Sequence, residues 1–237
     1  MKLRLHIARP EWFNNSAKSQ WDWDISAQVI EGGYTSTTSL VLIKGIESYP
    51  PSSNLQSAPK QPSQRERGLL IKKAQEEALA RLPIDTLFIV LYIRNDPPQL
   101  NDFHWGYYLH TSPRGGVKYH VRGIGSGWIP DHGERGGGVF KSNFLCVHVE
   151  IANVPSAQHA LLDQIMRSHD ADVNSIPGIT RRVRLLTILE ELAGAGLVRC
   201  GDIGALQEEC MAFGNWYSDG AARNEQPRPV VRLTLCG

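Results

Sequence analysis

Cysteine is scarce: four residues in 237 (Cys146, Cys200, Cys210 and Cys236), none of them in a C-x-x-C pair. That spacing argues against a disulfide scaffold and against a structural zinc site, and no metal or cofactor is expected. No stretch approaches the roughly 18 apolar residues of a membrane span, so a membrane role is not expected either. The amino-terminal "MKLRLHIARPEW" alternates charged and apolar residues without an apolar run, and the expectation is an unsecreted, cytoplasmic protein with reduced thiols. An excess of charge of one sign is also missing. A formal net charge of +1 and an isoelectric point near 7.7 give no general attraction to nucleic acid, so any anion binding must be local. No G-x-x-x-x-G-K-[ST] loop occurs, which disfavours nucleotide triphosphate hydrolysis.

With 41% hydrophobic residues, the chain can bury one good core. Residues 1–46 carry short alternating runs. "WDWDISAQVI" reads as a strand and "SLVLIKGI" as its partner, together an amino-terminal flap or extension. Residues 47–66, rich in proline and serine, read as a flexible linker, leaving 67–237 as the main domain. There "RERGLLIKKAQEEALARL" predicts a helix ending before Pro83, and "TLFIVLYI" (86–93) predicts a central strand. "FHWGYYLH" (103–110) and "VKYHVRGI" (117–124) predict a hairpin around "TSPRGG", and 143–154 a further strand. From there the period becomes helical, with helices at about 156–168 and 180–194 and a third within "DIGALQEECMAFGNWYSDG". The expected fold class is α+β, a mostly antiparallel sheet packed against carboxy-terminal helices.

Alternation along the hairpin puts His104, Gly106 and Tyr108 on one face, and Lys118, His120 and Arg122 on one face of the next strand. With a suitable register His104 and His120 meet on one surface. Such a pair suits a base and its orienting partner or two metal ligands, or else two strand residues bonded to their neighbours. On the strand at 143–151, Phe144, Cys146, His148 and Glu150 fall on one face by the same rule, but side chains two apart are separated by about 6.6 Å, too far to hydrogen-bond in series. Cys146 therefore reads as a small buried side chain. The glycine-rich "GSGWIPDHGERGGG" reads as a flexible connector, or as a lid in which Trp128, Asp131 and His132 supply stacking and acid–base groups.

The helix at 180–194 poses a question of its own. Thr180 is a natural N-cap, and Arg181, Arg182 and Arg184 then crowd the positive end of the helix dipole, which local helix physics disfavours. Either acidic neighbours such as Asp170, Asp172 or Glu150 hold them, or they form an anion site with the free N–H groups of the first turn.

"LFIVLYIRNDPPQLNDFHWGYYLH", "GGVKYHVRGI" and "TRRVRLLTILEEL" together resemble a fungal family of small intracellular proteins, itself similar to the circularly permuted branch of the papain-like superfamily, the lecithin:retinol acyltransferase-like proteins. The resemblance covers residues 86 to about 220. It implies a papain-like, circularly permuted fold in which His104 matches the general base and His120 the orienting polar residue. The nucleophilic cysteine falls on Arg181, and Arg182 matches the arginine that follows it. Arginine is neither a nucleophile nor deprotonable, so the chain would lack cysteine-based acyl transfer. The function expected is that of a non-thiol relative that binds a small anion or a protein partner through Arg181 and Arg182. The alternative is a working enzyme of fungal secondary metabolism (cyclisation, isomerisation or condensation) that uses His104 and His120 in acid–base chemistry without a cofactor.

Overall fold

The structure is a computed structural model; it describes residues 62–136 and 139–234, for 134–136 the backbone, all within the unit Ser57–Gly237. The flap expected at 1–46 lies outside the described residues, as does most of the linker at 47–66. The last three linker residues belong to the first turn of helix α1 (Gln64–Arg81), which Ser63 and Glu66 open with a capping box.

The chain then runs through strands β1 (Thr86–Ile93), β2 (Phe103–Ser112), β3 (Gly115–Tyr119), β4 (Val121–Ile124), β5 (Gly127–Pro130), β6 (Gly133–Gly136) and β7 (Leu145–Asn153). Helices α2 (His159–Met166), α3 (Arg181–Gly194) and α4 (Ile203–Ala222) follow, and β8 (Val230–Arg232) closes the series. Six strands form one sheet in the order β6-β3-β2-β1-β7-β8, antiparallel throughout except for the parallel pair β7–β8. β4 and β5 pair with each other as a separate two-stranded sheet. The expected α+β class with a mostly antiparallel sheet is what the chain adopts.

β1 is buried along its whole length because both its faces are covered. Leu87, Ile89 and Leu91 join Trp105, Tyr107 and Leu109 of β2 and Val147, Val149 and Ile151 of β7 under α2, α3 and α4. On the opposite face Phe88, Val90 and Tyr92 pack with Tyr108, Phe140 and Leu145 beneath Leu79 of α1 and the following Leu82. Two tyrosines anchor the helices to the sheet: the Tyr107 hydroxyl donates to the Leu185 carbonyl (2.8 Å) and the Tyr119 hydroxyl to Asp163 (2.8 Å). α4 comes close because residue 214 is glycine; a Cβ there would lie 2.7 Å from the Phe103 ring.

Three expectations need correction. The strand expected at 117–124 is two strands: the ladder with β2 stops at Tyr119, and beyond His120 the chain turns to pair with β5. The connector at 126–138 contains β5 and β6 and is pinned through Trp128, whose backbone N–H and carbonyl bond the side chain of Asn174 (2.8 and 2.9 Å). Finally, the ladder of β1 with β7 shifts register between Leu91 and Tyr92, pairing Leu91 with Val147 but Tyr92 with Leu145. This bulge at Cys146 breaks the alternation expected for 143–151. Cys146 packs in the core under the carboxy-terminal helices, whereas His148 lies on the other face against Phe88, Tyr108 and Phe140.

Candidate functional site

The site lies where the start of β2, the chain after β3 and the start of α3 converge. His104 pairs across the ladder with Tyr92, and Lys118 lies with its ammonium 4.5 Å over the Tyr92 ring. His120 continues the face of Lys118 and stands opposite Gly106; a Cβ on that glycine would be 3.4 Å from the His120 Cβ. The two histidines are thus diagonal neighbours on one surface, the arrangement that alternation alone made possible.

α3 supplies the third member. Thr180 caps the helix, its hydroxyl accepting from the Val183 N–H at 3.0 Å, and this fixes Arg181 as the first helical residue. The Arg181 guanidinium donates through Nε to the Val121 carbonyl (3.0 Å) and through Nη1 to His104 Nδ1 (2.9 Å), and it lies 5.2 Å over the Trp128 ring. Five N–H donors minus these two leave three without a partner among the described residues. Both acceptors are neutral. Burial and the neighbouring Arg94 push the Arg181 pKa down, and no ion pair among the described residues offsets that cost.

The other two arginines go elsewhere. Arg182 is exposed, with no partner among the described residues. Arg184 is 2% exposed and donates to the Met166 carbonyl (2.6 Å) and to Asp170 (3.3 Å). Asp170 also holds His132 Nε2 at 2.9 Å, and that ring packs 5.5 Å from Tyr119. Of the acidic neighbours considered for the arginines, Asp170 serves Arg184, whereas Asp172 lies 3.7 Å from His169 and Glu150 pairs with Arg232 at 2.9 Å. Sequence order put the three cations on one turn, and the fold gives them three different environments.

A cavity of about 270 Å³ opens beside His104, lined by Arg94, Lys118, His120, Ser142, Phe144 and Arg181, with Tyr92, Ile93 and Trp105 behind them. No carboxylate is among these lining residues. A second hollow of about 320 Å³ shares Arg94, His104, Trp105 and Arg181 and extends past Trp128 to Thr180 and Arg182. Its one acid, Asp102, is already taken by Arg94 Nη1 (2.8 Å) and Asn95 Nδ2 (2.8 Å).

Protonation follows from this geometry. Burial first, then Arg181 and Arg94, push His104 down to about 4. The ring is neutral at pH 7 and accepts from Arg181 at Nδ1, so its hydrogen sits on Nε2. His104 is therefore a hydrogen-bond donor to whatever fills the cavity, and it has no lone pair left with which to take a proton. His120 is also pushed down to about 4, by burial and Lys118, against a smaller opposing pull from Asp131. Its Nε2 is 3.5 Å from Asp131, and its Nδ1 is buried without a hydrogen-bond partner among the described residues.

Of the residues expected at a site, His104, His120 and Arg181 meet at the first cavity. Trp128 and Arg182 line the second, Asp131 touches His120 from the side, and His132 belongs to the Asp170–Arg184 cluster. Lys118 shares the face of His120 and was legible from alternation. Arg94, Ser142 and Phe144 were not, because they reach the cavity from connectors whose course depends on strand pairing. Among the described residues no group of three or more His, Cys, Asp or Glu could hold a metal ion, and no helix is long and apolar enough to cross a membrane. Comparison with protein-family models, with curated proteins and with solved structures finds no match to the chain.

Proposed function

We propose that the chain binds a small organic anion in the cavity between His104 and Arg181, as a non-thiol protein of papain-like, circularly permuted fold. One observation carries the reading: among the described residues Arg181 is half-buried, meets only neutral acceptors, and faces a cavity lined by Arg94 and Lys118 but by no carboxylate. A guanidinium in that state lacks the negative charge that would offset its desolvation, and a bound anion supplies it. The neutral Nε2–H of His104 and the hydroxyl of Ser142 add donors of matching kind. The resemblance supports the same reading, since the residue it aligns with the nucleophile stands at a helix start beside the strand histidine and is an arginine. Acid–base catalysis in the same pocket would have to run through His120 and Asp131, because the Nδ1 lone pair of His104 is engaged.

The test is thermal unfolding of the full chain with phosphate or acetate, comparing wild type with Arg181→Ala and Arg181→Glu. A ligand at a hundred times its Kd adds about 2.7 kcal/mol to native stability. Wild type should show a concentration-dependent rise in midpoint and both variants none; a wild type that responds to no anion, or variants that respond equally, would sink the proposal.

A further inference from the structure

We infer that the anion is an aromatic monocarboxylate, a single ring bearing one carboxylate group. This inference rests on the anion site proposed above and assigns its ligand class. The head group follows from charge. Of the cations lining the cavity, Arg94 is already paired with Asp102 at 2.8 Å and Lys118 lies over the Tyr92 ring, whereas Arg181 meets, among the described residues, the Val121 carbonyl and the His104 and Trp128 rings, all neutral. Arg181 is held by neutral acceptors, and its remaining N–H donors form the planar fork that a carboxylate matches with one negative charge.

The body follows from the remaining lining. Phe144 is 56% exposed at the cavity, on the short link between Ser142 and β7, while the aromatic residues Tyr92 and Trp105 lie deeper. An exposed phenyl ring lining the same cavity as the guanidinium offers apolar area to be covered and a ring for edge or offset stacking. The cavity, about 270 Å³, is smaller than the usual pocket for a drug-sized ligand and has room for one ring with its head group.

The experiment is isothermal titration of the full chain at pH 7 with acetate, benzoate and phenyl phosphate, on wild type, Phe144→Ala, Phe144→Leu and Arg181→Ala. Benzoate should bind at least tenfold more tightly than acetate, and no less tightly than phenyl phosphate. Phe144→Ala should bring benzoate down to the acetate level without changing acetate, Phe144→Leu should keep part of the preference, and Arg181→Ala should remove all binding. Phe144 is largely exposed, and an unchanged melting midpoint confirms the fold of its variants. If acetate and benzoate bind alike, or if the preference survives Phe144→Ala, the aromatic assignment fails while the anion site stands. If phenyl phosphate binds tenfold better than benzoate, the monocarboxylate assignment fails. If no probe binds the wild type, the anion site and the ligand assignment fail together.

Discussion

Arg181 donates to His104 Nδ1 across 2.9 Å, so a cation from the first turn of α3 holds a neutral imidazole on the edge of β2 in one tautomer. The relationship answers the question raised by three arginines at a helix start. Arg181 is kept there by a tertiary acceptor that helix physics does not supply. It also makes a prediction about protons. At pH 7 the His104 ring should carry hydrogen on Nε2 alone, visible in long-range nitrogen–proton correlation spectra, and should not titrate until pH falls towards about 4. Arg181→Ala removes the second-largest cause of that depression and should move the midpoint up towards 6.5. A wild-type ring that titrates near 6.5, or that carries hydrogen on Nδ1, contradicts the arrangement.

Acid should weaken the fold through its buried histidines. His148 is fully buried and pushed down to about 3, chiefly by desolvation, while His104 and His120 stand at about 4. An unfolded histidine titrates near 6.5, so below that pH the unfolded chain binds more protons than the native one. Stability is therefore full above about pH 7 and falls as pH drops from 6.5 towards 4. His148 has no hydrogen-bond partner at either ring nitrogen among the described residues and packs 4.4 Å from the Phe140 ring. His148→Leu should raise stability at pH 7 by roughly 1–3 kcal/mol and flatten the acid slope. Urea unfolding at pH 7 and pH 5 measures both; a variant less stable at pH 7 would show a polar contact for this ring.

Arg184 and Asp170 should behave as a buried pair. Removing the carboxylate leaves a guanidinium that is 2% exposed with only the Met166 carbonyl as acceptor among the described residues, and it also frees His132. Asp170→Asn should cost about 3 kcal/mol, and Arg184→Met clearly less, since an unbranched apolar chain can fill the space without a stranded charge. Equal losses from the two substitutions, read by denaturant midpoints, would show that packing rather than charge dominates.

The thiol of Cys146 should be inert. Burial pushes it up to about 12, and its Sγ donates to the Gly214 carbonyl at 3.3 Å. Iodoacetamide at pH 8 should label it only when urea opens the core. Cys146→Ala should cost roughly 1–2 kcal/mol of stability and leave anion binding at Arg181 unchanged. A folded Cys146→Ala protein that loses a turnover shown by wild type would restore a thiol mechanism.

The register slip at Cys146 shows where reading along the chain stops. Alternation correctly put Lys118 and His120 on one face, because a strand's period of two is local, and left their meeting with His104 to the pairing register. The same rule failed on β7, because a bulge is decided by how that strand fits β1 and not by its own residues. Arg184 was legible in part. It shares a helical stripe with Leu185, Ile188, Leu189 and Leu192, all buried, so its position pointed inward although its charge suggested solvent. Its partner Asp170, fourteen residues earlier on a different turn, could be considered but not chosen.

Composition and periodicity by themselves located helices α1 to α4, strands β1, β2 and β7 and the cap at Thr180, all of which depend on residues a few positions apart. Tertiary structure alone decided that β3 ends at Tyr119, that Arg94 and Phe144 reach the cavity, and that Arg181 rather than Arg182 or Arg184 turns to His104. These depend on which distant segments exclude water from one another and on which buried polar groups must then find partners. That accounting closes only when the whole core is assembled.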